Sequence, residues 1–134
     1  MLPFEFTIEG PPVSHQTRNR ANLQDWKTKV SNAAKEILPN NIPPTSENVS
    51  VTITYYYEDT SPDVDNIIKP IQDALIGIIF IDDNQVVDTK ARKRKIDGSY
   101  RIRGASSILL LAFSKGKSFL HIKVDKEPNM EVLD

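Results

Sequence analysis

From Ser61 to Asp88 the chain reads SPDVDNIIKPIQDALIGIIFIDDNQVVD, with six aspartates (Asp63, Asp65, Asp73, Asp82, Asp83 and Asp88) against a single basic residue, Lys69. Ile67, Ile68, Ile71, Ala74 and Leu75 recur at helical spacing, so the stretch has to pack on a core. Carboxylates at this density repel, and like charges close together raise each other's pKa. A fold either spreads them over a surface or compensates them where they meet. The usual compensation is a divalent cation, and oxygen-only ligands suit Mg²⁺ or Mn²⁺.

Other features narrow the field. The 134 residues suit one domain with a modest core. Cysteine is absent, which removes disulfides and thiolate metal sites. His15 and His121 stand far apart in the chain, which disfavours a histidine zinc cluster. No apolar run approaches the roughly 18 residues of a membrane span. The N-terminal MLPFEFTIEG lacks a basic and then apolar leader, so a cytoplasmic protein without membrane contact is expected. A formal net charge of −1 argues against a nucleic-acid binder as a whole. The distribution argues the other way. Lys90, Arg92, Lys93, Arg94, Lys95, Arg101 and Arg103 crowd one segment, with Asp97 as their only acidic neighbour. An acidic centre followed by a basic flank is what a metal-dependent enzyme on a polyanion needs. Taken alone, the basic run is an ordinary solvated strand face.

In chain order, Phe4–Glu9 alternates apolar and polar and predicts a half-buried strand, closed by Gly10-Pro11-Pro12. The loop from Val13 to Ala21 carries Arg18 and Arg20, either solvated surface or phosphate contacts. A helix capped by Asn22 follows, with Leu23, Trp26, Val30, Ala33, Ala34 and Ile37 on its inner face; Trp26 belongs to the core or to a partner interface. Val49–Tyr56 predicts a strand running straight into the aspartates, which puts them on a loop at a strand end. A second helix, Asn66–Ile76, is capped by Asp65 or Asn66, disturbed by Pro70 and left through Gly77. Ile78–Ile81 reads as a short apolar strand, Asp82-Asp83-Asn84 as a turn, and Gln85–Ile96 as a long strand with a basic outer half. Asp97-Gly98 signals a hairpin, with Tyr100, Ile102 and Ile108–Phe113 as further strand material. Phe119–Val124 is the last strand. The sum is one α+β domain over residues 1–124, a mixed sheet with two main helices packed on one face, and a weakly ordered tail over 125–134.

The chemistry lies in the acidic stretch. Side chains two apart in an extended segment share a face at roughly 6.5–7 Å, so Asp63 and Asp65 can both touch one ion while Val64 turns to the core. Of the neighbours Asp82 and Asp83 only one points inward; Asp83 is taken as the ligand, and Asp82 supports it or faces solvent. Asp88 is a more distant ligand or a surface acid, and Asp73 packs near the site or faces solvent. Lys69, four residues after Asp65, lies on the same helix side. An ammonium there can position a water or stabilise charge developing on phosphate, and the helix N-terminus favours an anion. Each feature has an ordinary alternative. D-x-D after a strand is common, an Asp-Asp turn is often structural, and a Lys four after an Asp is a helix pair worth roughly a few tenths of a kcal/mol. Their conjunction in one segment is what points to metal-dependent phosphodiester hydrolysis.

The runs DVDNIIKPIQDALIG and FIDDNQVVD resemble the signature of the RusA-like Holliday-junction resolvases, over Pro62 to about Lys95. The first strand followed by G-P-P is also similar, though less diagnostic. The resemblance implies a Mg²⁺-dependent endonuclease, with Mn²⁺ as a substitute, that works as a homodimer and cuts two opposed strands of a four-way DNA junction. It puts the catalytic acids on Asp63, Asp65 and Asp83, and the catalytic lysine on Lys69. A two-fold dimer suits a substrate with two equivalent scissile strands. DNA contacts are expected from Arg18, Arg20, Lys90, Arg92, Lys93, Arg94, Lys95, Arg101 and Arg103. The chain departs from the family pattern in two places. Glu58-Asp59-Thr60 stands where members carry a basic run, and the part after Ile96 is longer; both bear on DNA affinity and substrate preference. Two other readings are a non-catalytic junction-binding relative and a hydrolase of small phosphate esters.

Overall fold

Strict alternation in Val49–Tyr57 (β2) gives the middle strand two unlike faces. Val51, Ile53 and Tyr55 are buried on one of them, and Thr52, Thr54 and Tyr56 lie on the other. A computed structural model describes residues 2–59 and 63–133 of the 134-residue chain. Thr60, Ser61 and Pro62, the lead into Asp63, lie outside the described residues. Around β2 a four-stranded sheet forms with Phe4–Glu9 (β1), Val86–Lys95 (β3) and Phe119–Lys126 (β4) in the order β1-β4-β2-β3. The β1–β4 and β4–β2 pairs are antiparallel and β2–β3 is parallel. A parallel pair needs a crossover connection, usually a helix, and Val64–Leu75 (α2) supplies it.

The apolar face carries α2 and Arg20–Ile37 (α1). Phe6, Ile53, Leu120, Ile122, Val30, Ile67, Ile71 and Leu75 are all but sealed there. Full burial of each such side chain stabilises by about 1.5–3 kcal/mol. The Ser31 hydroxyl donates to the Ala74 carbonyl at 2.8 Å, locking α1 to the last turn of α2. Trp26 is 3% exposed, a core residue. The α+β class and the two main helices on one face are as expected.

The opposite face departs from expectation. Ile108–Phe113 is helical, within Ser107–Ser114 (α3). An apolar run of that length does not separate strand from buried helix by periodicity, and Leu and Ala are strong helix formers. Ser106 tips the balance, its hydroxyl accepting from the Leu109 backbone N–H at 3.2 Å. Leu109 and Ala112 cover Tyr56 and Phe119, a second, smaller core. Asp97-Gly98 turns the chain but starts no hairpin. The Tyr100 hydroxyl donates to the Lys95 carbonyl at 3.0 Å and its ring folds over Gly98, where a Cβ would lie 2.9 Å from it. Tyr100 and Ile102 therefore stand in a loop beside the sheet instead of a strand.

Smaller corrections concern ends. Asn19 caps α1, its side-chain oxygen accepting from Asn22 N at 2.9 Å, so Asn22 lies inside the helix. α2 starts at Val64 instead of Asn66, and Gly77 takes the left-handed exit at φ 81°. Ile78–Ile81 makes turns with one isolated bridge residue, Phe80. Asp125 and Lys126 belong to β4.

Candidate active site

The acidic motif is folded more tightly than an extended D-x-D. Asp63 is the backbone N-cap of α2, Asn66 N donating to its carbonyl at 2.9 Å, and Asp65 sits in the first helical turn. Residues two apart on a helix do not face each other. The extended-face geometry expected of Asp63 and Asp65 is therefore replaced by two exposed carboxylates fanning from a helix start, with Val64 only half-buried.

Pro70 adds a specific constraint. A proline inside a helix removes the bond to the carbonyl four residues before it, here Asn66. That carbonyl accepts instead from the His15 backbone N–H at 2.8 Å. The loop bearing Arg18 is thus tied to the first turn of α2, beside Asp65, whereas Arg20, expected in that loop, is the first residue of α1.

Lys69 stands one turn after Asp65 and gathers acids from two segments. Its Nζ lies 3.0 Å from Asp73 Oδ1 and 3.5 Å from Asp83 Oδ2. Lys27, on α1, approaches the other oxygen of Asp73 at 3.6 Å. The Asp73 hydrogen bond and charge, and then those of Asp83, hold the Lys69 ammonium above its ordinary pKa. Exposed helix pairs contribute about 0.3–0.5 kcal/mol, so stability does not explain the cluster. Its effect is to fix a cation. Asp73 packs near the site, one of the two placements expected of it, and its i,i+4 spacing from Lys69 could have given the pair; Lys27 was not expected, because neighbours on separate helices leave no trace in sequence spacing.

Asp83 is delivered by a small knot. Asp83–Gln85 forms one turn of 3₁₀ helix ahead of β3. The buried Gln85 side chain accepts from Ile81 N and Asp82 N at 2.8 and 2.9 Å, and donates to the Thr45 and Glu47 carbonyls at 2.9 and 2.7 Å. All four hydrogen-bonding sites of the amide are used. This gives the glutamine of the D-D-x-Q pattern a physical role: it holds the acid-bearing turn against the loop before β2. A hydrogen bond shared with the Asp82 carboxyl, and then the bond and charge of Lys69, hold the Asp83 carboxyl below its ordinary value. Thr89 accepts from Gln72 of α2 at 2.8 Å. Asp88, one residue earlier, points by alternation to the other side of the sheet and away from Lys69.

The same alternation divides the basic run. Thr89 and Ala91 face the helices, so Lys93 and Lys95 fall on that side. Lys90, Arg92 and Arg94 fall on the far side, Arg92 Nε donating to Thr54 Oγ1 at 2.9 Å. Arg101 and Arg103 flank the same far side from the loop after Gly98. Sequence reasoning treated one basic flank; the molecule has two.

Among the described residues no three acidic or histidine side chains gather closely enough to enclose a metal ion. Asp63, Asp65 and Asp83 are exposed oxygen donors of the kind hard cations take, and of the three Asp83 is the one in contact with Lys69. Mg²⁺ itself is usually held by one or two carboxylates together with waters and substrate phosphate, so this donor set fits it without a preformed cage. No helix is long and apolar enough to cross a membrane among the described residues.

Over 34 residues the chain is 56% identical to the uncharacterised protein YqaN of Bacillus subtilis (strain 168), a match covering 25% of this chain and 24% of that relative. The chain thus matches about a quarter of the relative's length. The family model described as Endodeoxyribonuclease RusA matches residues 9–103, from the end of β1 through the acidic motif, the Gln85 knot and all of β3. With most of its length matched, the chain belongs to the RusA endodeoxyribonuclease family.

Proposed function

We propose that the protein is a Mg²⁺-dependent endodeoxyribonuclease that resolves four-way (Holliday) junctions by paired cuts in opposed strands, acting as a homodimer. The observation that carries this reading is the meeting of Lys69 with Asp83 at 3.5 Å, which unites the two halves of the family motif across separate segments. Asp63, Asp65 and Asp83 are the residues that would hold the metal. When bound, Mg²⁺ supplies Lewis acidity and a water of lowered pKa for phosphodiester hydrolysis. Lys69, an ammonium at neutral pH as lysines are, is oriented by Asp73 and Asp83. Its part is electrostatic, offsetting charge that develops on the phosphate oxygens. Asp73, itself paired with Lys27 of α1, holds it in place. Side-chain exposures of 48% for Lys69 and 50% for Asp83 describe an open site. Small-molecule sites bury most of their ligand, so openness favours a polymer over a small phosphate ester. Homodimerisation would present two such sites to the two equivalent strands of a junction.

The test is cleavage of an end-labelled four-way junction with and without Mg²⁺. Symmetric nicks that need the metal and disappear in Asp65→Asn are expected. Undiminished cleavage by Asp65→Asn would remove the proposal.

A further inference from the structure

The far face of the sheet holds a trough that the acidic site does not use. Two adjoining hollows, of about 320 and 360 Å³, share Tyr56, Arg92, Ile102 and Arg103 as walls. The floor follows from register. Glu5 pairs with Lys123, Lys123 with Thr52, and Thr52 with Lys90, so one polar row crosses all four strands. Lys90, Arg92, Arg94, Arg101, Arg103 and Lys123 line the two hollows, and Glu5 is the one carboxylate among the lining side chains. Glu5 is already engaged, lying 2.6 Å from His121 Nε2 and accepting from the Ser106 hydroxyl at 3.0 Å. Among the described residues none of the six cations is in an ion pair.

Six cations lining hollows with one acid repel one another, and a bound polyanion removes that repulsion. Lys90, Arg92 and Arg94 repeat along β3 at about 6.8 Å, an extended row better matched to a chain of phosphates than to one compact anion. The trough is walled off from Lys69 and Asp83 by the sheet itself, since α2 packs on the other face. A straight duplex lying on one face does not reach the other. A branched substrate has a second arm to offer.

We infer that this trough binds the sugar–phosphate backbone of a DNA segment other than the one being cut, and that engaging both faces at once is what favours branched over linear DNA. The inference rests on the reading above that the substrate is DNA. The second contact raises affinity through effective concentration, because the arm is already tethered.

The test uses the full chain in EDTA. Fluorescence anisotropy follows binding to a four-way junction and to a linear duplex of one arm's sequence, between 50 and 200 mM salt. Lys90→Gln/Lys123→Gln is expected to weaken junction binding about tenfold and to lower the log–log salt slope by about 1.8, for two lost phosphate contacts. Duplex affinity should change by less than about twofold. Lys90→Arg/Lys123→Arg should restore the wild-type values, and Arg103→Gln, off the sheet, serves if the strand pair impairs folding. Unchanged junction binding, or equal loss on junction and duplex, overturns the inference. A wild-type protein that binds junctions through the trough but never cleaves them removes the nuclease reading and leaves this one standing. Cleavage that is intact while the trough variants bind normally does the reverse.

Discussion

The two faces of the sheet treat charge in opposite ways. At the Lys69 corner Lys69 and Lys27 each have an acid within 3.6 Å, and they share Asp73. Across the sheet Lys90, Arg92 and Lys123 have none at that range among the described residues. Paired charges hold one another in place and so set geometry. Unpaired charges on a polar floor are left for something that arrives from solution. The contrast separates a surface suited to chemistry from one suited to grip, although both draw on one stretch of sequence.

The sharpest way to break that division is Lys69→Ala. Loss of a fixed cation at the reacting phosphate should cut turnover by about 10²–10³-fold, with junction affinity within a few-fold, as read from single-turnover cleavage and from binding in EDTA. An equal fall in both would make Lys69 a gripping residue and merge the two surfaces. Gln85→Ala asks whether the paired corner depends on its scaffold. Stranding the backbone groups around a buried amide should cost about 3 kcal/mol, a fall of about 10 °C in thermal midpoint, with cleavage lost more than binding.

The smallest expected effect probes Glu5, the acid that lines the trough. Burial disfavours its charge, but the hydrogen bonds from His121 and Ser106 and the charges of His121 and Lys123 outweigh that and hold the carboxyl below its ordinary value. A depressed folded pKa means stability present above the ordinary glutamate value, about 4.3, and lost as pH falls through the folded one. The group is partly exposed, so the contribution is under about 1 kcal/mol. Urea melts from pH 6 to pH 3 should show a shallower decline in Glu5→Gln. An identical pH profile would mean that the pair contributes nothing to folding.

Much of this was legible in the residues. Alternation placed β1, β2, β3 and β4 to within a few positions, and the isoleucines placed α2. The acids and Lys69 were singled out as candidates from their spacing. What escaped was set by neighbours distant in the chain. Asp63 and Asp65 were read as extended because nothing local says that the helix begins at Val64. Ile108–Phe113 was read as strand because apolarity without period fits either element. The division of the basic run was available from parity, Lys90 and Arg92 against Lys93 and Lys95, but only once Thr89 and Ala91 were known to face the helices. Lys27 and Asp73 meet only through the packing of α1 on α2.

The seat that Pro70 leaves at the Asn66 carbonyl is filled by a backbone donor, the His15 N–H. The loop is therefore indexed to the helix residue by residue, not merely laid beside it. Arg18, three positions further on and ahead of α1, inherits that index, so lengthening the loop between His15 and Arg18 should displace it relative to Asp65 or unseat the latch. An imino acid that weakens a helix in isolation here becomes the fixed point from which a distant part of the chain is measured.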